Sequence, residues 1–221
     1  MGRLKTQAET LVPTSVQIAG PSGIDRQLAE TFIRRAFDKA YAAQVTAFMP
    51  LLMTLRNDAG SLLAVLGVRP DTDQPLYLEH YLSEPVEQRL ADAAGSPVDR
   101  ASIVEVGNFA VGAAGGGRWL ITALTAYLYA TGQGWAVFTC GPTLQNAFRR
   151  LGIQLVDLAV ADPLRLPEPE RERWGTYYAQ RPRVMAANVQ QSHAVLSTLF
   201  ETECVLHTLW SCALRTGGLA A

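Results

Sequence analysis

The chain has 221 residues, of which 48% belong to the apolar set AVILMFWYC and 18% are charged. This composition excludes an intrinsically disordered protein, and the length is enough for one large domain whose core needs no covalent staples. With 19 lysines and arginines against 20 aspartates and glutamates, the chain has no net field to hold a polyanion, so no nucleic acid is expected as a partner.

Residues 14–18 read as a short strand closed by Gly20-Pro21-Ser22-Gly23. A helix follows, with Asp25 as its candidate cap and Leu28, Phe32, Ile33, Ala36, Phe37 and Tyr41 at three- and four-residue spacing. Residues 51–56 and 61–68 flank Asn57-Asp58-Ala59-Gly60 and predict a hairpin. A helix over about 85–94 stops at Gly95, and residues 102–111 form a strand that carries Glu105 and Asn108. That strand runs straight into the glycine-rich stretch 112–117. A helix over about 118–130, a strand over 135–139, a helix over 143–151 and a strand over 153–160 come next. The alternation predicts an α/β domain with parallel strands in its sheet. Residues 164–182, proline-rich and aperiodic, read as an irregular surface segment. From Asn188 the pattern is helical again, and Leu196, Leu199, Phe200, Leu206, Leu209, Trp210 and Ala213 make one broad apolar stripe. This helix is expected to dock on the domain or on a second copy, with membrane contact at most peripheral.

The polar N-terminus does not open a secretory signal, although Met1 to Thr6 satisfies the loose N-myristoylation pattern. The longest nearly unbroken apolar run, residues 119–131, is too short to span about 30 Å of hydrocarbon. The cysteines, Cys140, Cys204 and Cys212, are odd in number and form no C-x-x-C pair, which fits neither a disulfide framework nor a zinc site. The expectation is a cytoplasmic protein.

Glycines between a strand and a helix leave free N–H groups at the positive end of the helix dipole, a cradle for an anion. It is not a Walker loop, because Arg118-Trp119 stands where Lys-Ser/Thr would be, nor a dinucleotide loop, because Ala114 fills the second glycine position. A flexible turn would have the same letters. Glu105 lies among β-branched residues, where it is either outward-facing on a half-exposed strand or buried with a partner. Arg69, Glu79 and His80 surround the loop after the hairpin as binding groups or ordinary surface. There is no G-x-S-x-G, and His80, His193 and His207 lack H-E-x-x-H spacing, so no metal is expected. Cys140 reads as a small buried hydrophobe.

Five segments in order, Gly67-Val68-Arg69-Pro70, residues 75–82, residues 103–110, Trp135-Ala136-Val137-Phe138-Thr139, and Trp174-Gly175-Thr176-Tyr177-Tyr178 with Pro182-Arg183-Val184, resemble the thermostable haemolysin family over roughly residues 32–188. That family in turn resembles the GNAT-type N-acyltransferases, above all the autoinducer synthases and N-acyl amino acid synthases. The resemblance implies a GNAT-like fold over residues 1–187, a central mixed twisted sheet flanked by helices, with residues 188–221 as an extra C-terminal helix. It implies transfer of a fatty acyl group from acyl carrier protein or acyl-CoA to a small amine acceptor, with no permanently bound cofactor. Glu105, Arg69 and Asn108 would be catalytic. Asn108 stands where autoinducer synthases have arginine, which argues against a homoserine-lactone type of substrate. Phe109, Val111, Gly112, Gly115, Gly116, Gly117 and Arg118 would hold the phosphopantetheine arm, although Gly112 replaces the family's Arg or Gln. The alternatives are a membrane-active haemolysin, whose lytic effect an N-acyl surfactant would also produce, and a non-catalytic scaffold that binds acyl chains.

Overall fold

The structure, a computed structural model, describes residues 12–70, 74–112, 115–200 and 204–219. The myristoylation-type start, Ala113 and Ala114 of the glycine run, and the side chains of Phe200, Cys204, Leu206 and His207 lie outside the described residues. Seven strands make one sheet: β1 (Ser15–Ala19), β2 (Leu51–Arg56), β3 (Leu62–Pro70), β4 (Ile103–Val111), β5 (Trp135–Cys140), β6 (Val156–Val160) and β7 (Arg183–Asn188). Their order is β1-β2-β3-β4-β5-β7-β6. Every neighbouring pair is antiparallel except β4 and β5, which run parallel.

Helices α1 (Arg26–Tyr41), α2 (Val86–Ala94), α3 (Gly116–Ala130), α4 (Pro142–Arg150), α5 (Glu168–Arg173), α6 (Val189–Phe200) and α7 (Cys204–Gly218) cover the two faces. Strand alternation decides which side chain meets which layer. Val104 and Val106 of β4 point to the core under α3, α4, α6 and α7, together with Leu66, Phe138, Leu209 and Ala213. Ile103 faces the other way, toward Val137, Leu78, Leu90 and Ala186, and α1 closes the remainder of that face over Leu52, Val65 and Ala110.

Three details depart from the sequence reading. Asp25 precedes α1 but makes no side-chain cap; it pairs with Arg56 at 3.2 Å instead. The presumed single C-terminal helix is two, with α7 so close to α3 that a Cβ on Gly217 would come within 2.7 Å of the Ala130 Cβ. Residues 183–187, between the irregular segment and the helix expected from Asn188, form with Asn188 the strand β7, which inserts between β5 and β6. Four consecutive buried residues, Val184 to Ala187, give that strand no alternation to betray it.

What positions the site is a break in the sheet. The β4–β5 ladder runs from Ile103↔Trp135 to Val106↔Phe138 and stops, although β4 continues to Val111. At that point Asn108 and Phe109 together oppose one residue of β3, since Val65 pairs with Ala110 and Gly67 with Gly107. This is a β-bulge, which bends its strand, and Asn108 takes the left-handed φ of 51° that asparagine tolerates better than most residues. Beyond the bulge β4 and β5 part, leaving a notch.

Candidate active site

A cavity of about 710 Å³ passes through this notch and reaches both faces of the sheet. On the α3–α4 side its wall is apolar: Leu124, Phe138, Leu144, Ala147 and Phe148. On the other side stand Arg69, Glu105, Glu170 and the rings of Tyr77, Tyr81, Trp174, Tyr177 and Tyr178. The strap of residues 44–49 closes the α1 side.

Glu105 is buried with partners. It is 2% exposed, with Oε1 accepting the Leu78 N–H at 2.8 Å and Oε2 the Tyr77 N–H at 3.0 Å. Arg69 lies directly across the β3–β4 ladder and brings Nη1 to 3.6 Å from Oε2. Burial pushes the Glu105 carboxyl above the ordinary carboxylate range, while the two N–H donors and Arg69 pull it back. Each oxygen keeps acceptor capacity, because an ionised carboxylate has about four lone-pair sites.

Asn108 lines the cavity, but its side chain holds the strap: Oδ1 accepts the Met49 N–H at 2.9 Å, and Nδ2 donates to the Ala47 carbonyl at 3.4 Å. The strap packs on bare backbone, since a Cβ on Gly67 or Gly107 would come within 2.5 Å of Met49. Arg26 fastens the far end by donating to the carbonyls of Met49 and Pro50.

The glycine turn divides into two roles. Phe109, Val111 and Gly117 line the cavity, and a Cβ on Gly117 would meet only Phe109, at 3.9 Å. Gly112, Gly115, Gly116 and Arg118 do not line it. The Gly112 N–H donates to the Leu63 carbonyl at 3.0 Å, so it completes the sheet and is unavailable to an anion. Gly115 caps α3 at φ 82°, accepting from the N–H groups of Arg118 and Trp119, and a Cβ on Gly116 would strike Val111. The Arg118 side chain is exposed.

Glu79 and His80 stay outside the cavity lining. The aromatic wall was missed by sequence reasoning because residues 174–178 read as surface. In the fold the Trp174 indole N–H donates to the Tyr77 hydroxyl at 3.1 Å, the hydroxyls of Tyr81 and Tyr178 share a hydrogen bond of 2.5 Å, and Tyr177 donates to the Thr139 carbonyl at 3.3 Å. Burial pushes the Tyr178 phenol up to about 12, so it stays protonated at neutral pH. Burial likewise pushes the Cys140 thiol up to about 12, which makes it a packing group rather than a thiolate nucleophile. Gly175 is required where it stands, at φ 53° and pressed on the Tyr41 carbonyl.

A mixed sheet that opens between its two parallel strands, with a helix N-terminus and a bulge at the opening, is a GNAT-like fold. The profile of the thermostable hemolysin family matches residues 20–193, and the chain belongs to that family. Among solved structures it is similar to FeeM, an N-acyl amino acid synthase from uncultured soil microbes, with a TM-score of 0.53 at 16% identity over 84% of this chain and 99% of that one. It is also similar to the acyl-homoserine lactone synthase LasI, with a TM-score of 0.55 at 16% identity over 83% of this chain and 94% of that one. The CoA-dependent acyl-homoserine lactone synthase BjaI, solved with SAM and isopentyl-CoA, gives 0.52 at 16% identity over 93% of this chain and all of its own length, 100%. At such identities the likeness is one of fold. A comparison with curated protein sequences gives no match. Among the described residues no helix is long and apolar enough to cross a membrane, and no group of three or more His, Cys, Asp or Glu is placed to hold a metal.

Proposed function

We propose that the chain is an N-acyltransferase, moving a fatty acyl group from a phosphopantetheine thioester, on acyl carrier protein or coenzyme A, to the amine of a small polar acceptor such as an amino acid. The observation that carries this reading is the two-ended cavity. Its apolar end suits an acyl chain, its polar end suits an amine, and the notch between β4 and β5 is where the two would meet. Structural neighbours that make N-acyl amino acids and acyl-homoserine lactones support the same reading.

In this mechanism Glu105 takes a proton from the acceptor's ammonium, directly or through a water, and the freed amine attacks the thioester carbonyl. Burial raises the basicity of Glu105, which suits that task. Those backbone N–H groups around residues 109–111 that the β3 ladder does not use polarise the carbonyl oxygen. The C–N bond forms, the C–S bond breaks, and the departing thiolate takes the amine's second proton. Arg69 orients Glu105 and offers a cation to an acceptor carboxylate. Asn108 serves by keeping the strap closed over the site. Gly117 and the first turn of α3 receive the phosphopantetheine arm.

Mass spectrometry of lipid extracts from bacteria overproducing the chain tests the proposal. A new N-acyl species is expected, naming donor and acceptor together, and its absence with every donor supplied to the purified protein overturns the reading. Gly117→Val, placed where the fold has room, should raise the donor Michaelis constant by about tenfold, or roughly 1.4 kcal/mol of lost donor binding.

A further inference from the structure

At the apolar end of the cavity one pair of rings stands between it and a second space. Phe138 of β5 and Phe148 of α4 lie stacked, with centroids 4.9 Å apart and planes 12° from parallel. Both rings line the main cavity, and both also line a second, much smaller void of about 10 Å³. Leu124 is the third residue shared by the two spaces. Behind the pair the void continues among Leu128, Ala136, Ala187 and Val189, all buried. Its two hydroxyls are already occupied: Thr125 donates to the Ile121 carbonyl at 2.9 Å and Ser192 to the Asn188 carbonyl at 2.7 Å. The space behind the rings therefore offers an alkyl chain an apolar wall and no unmet polar group. It is too small for even one further carbon while the rings stand, being close to the least volume that holds a water.

We infer that the Phe138–Phe148 stack is the stop that sets the length of acyl chain the protein accepts, and that the void behind it is the unused extension of the acyl site. This inference names the substrate range of the same cavity and rests on the acyl-transfer reading for its product arm only. Phe148 is the better lever. It sits on a helix over the cavity, whereas Phe138 belongs to a strand paired on both sides. Shortening its side chain joins the two spaces.

The test is binding of saturated fatty acids of stepwise increasing length to the wild-type chain and to the Phe148→Ala, Phe148→Leu and Phe148→Trp variants, with thermal midpoints on the same preparations. In the wild type each added methylene should strengthen binding by roughly fourfold until the chain reaches the rings, and further carbons should then weaken it. In Phe148→Ala the limit should move up by about two carbons or more, in Phe148→Leu by about one, and in Phe148→Trp it should move down. Should Phe148→Ala fail to fold, the milder Leu and the filling Trp variants still give opposite shifts. An unchanged limit in the folded variants overturns the stop, as does binding that ignores chain length in all of them. Where N-acyl products form, their lengths should shift in step. Shifted binding without product would leave the stop standing and remove the acyl-transfer reading, while product of unshifted length would remove the stop alone.

Discussion

Glu79 accepts the N–H groups of Leu76 and Val86, and Glu105 those of Tyr77 and Leu78, so both carboxylates hold the start of one turn, Tyr77–Tyr81, and Glu79 also ties it to the first residue of α2. Their remaining surroundings differ. Arg100 donates to both oxygens of Glu79 at 2.9 Å, and Glu79 stays at the rim of the turn. Burial opposes its ionisation, but Arg100 and the two peptide N–H groups outweigh burial and hold it down at about 2. Glu105 has its cation at 3.6 Å rather than in contact, and it is nearly inaccessible except from the cavity, so burial wins and its carboxyl rises. Identical backbone donors thus give one permanently ionised clamp and one group poised to exchange a proton.

The largest expected effect comes from Glu105→Gln, which keeps the shape and an acceptor oxygen but removes the base. Turnover should fall by about a hundredfold to ten-thousandfold, the usual worth of general base catalysis, with donor binding retained. Near-normal turnover per folded molecule would take Glu105 out of the mechanism and erase the functional half of the contrast. Glu79→Gln should do the reverse. It leaves Arg100 without its bidentate partner and should cost about 1–3 kcal/mol of stability, a drop of about 2–4 °C in midpoint for each kcal/mol in a chain of this size. Turnover per folded molecule should be preserved. A loss of turnover comparable with that of Glu105→Gln would mean that the turn, not the proton, is what Glu105 supplies.

Much of this contrast was written in the chain and part of it was not. A carboxylate flanked by Val104 and Val106 announces either a partner or an outward face, and strand pairing with β3 decides for the partner. The hairpin, the long strand β4 and the glycine turn were legible because turn residues and β-branched runs are local signals. Glu79 was not separable from ordinary surface, because its partner Arg100 lies 21 positions away with no periodic relation. The aromatic wall was hidden for the same reason: Trp174 reaches Tyr77 across 97 positions through a segment without periodicity. Strand β7 escaped because it is short and buried on both faces, and Gly112 was misassigned because a glycine that completes a sheet looks the same as one that cradles a phosphate.

Arg69→Gln sharpens the comparison from the other direction by making Glu105 less like Glu79. Without the nearby cation the carboxyl should rise further, and the ascending limb of the pH–rate profile should move to higher pH by roughly one unit, about 1.4 kcal/mol of lost interaction. The acceptor Michaelis constant should rise as well if the acceptor carries a carboxylate. A profile that stays in place would show that Arg69 does not act on Glu105.

The smallest effect is the most diagnostic, because the two carboxylates should bend the stability curve in opposite directions. Glu79 has a folded value of about 2 against an ordinary 4.5, so between these the unfolded chain binds more protons. Its contribution is therefore present above about pH 4.5 and lost as the pH falls toward 2. Glu105 is shifted upward from 4.5, so in its window the folded chain binds more protons. Its contribution is greatest below pH 4.5 and is lost as the pH rises through the raised value. Thermal midpoints across this range, taken as wild type minus variant, should grow with pH up to about 4.5 for Glu79→Gln and then level off. For Glu105→Gln the difference should be flat on the acid side and decline above pH 4.5. The slope has a ceiling of about 1.4 kcal/mol per pH unit for one group, so the two curves need only differ in sign to be told apart. A difference for Glu105→Gln that grows with pH would mean that Arg69 and the peptide donors outweigh burial, and the two carboxylates would then be the same kind of clamp.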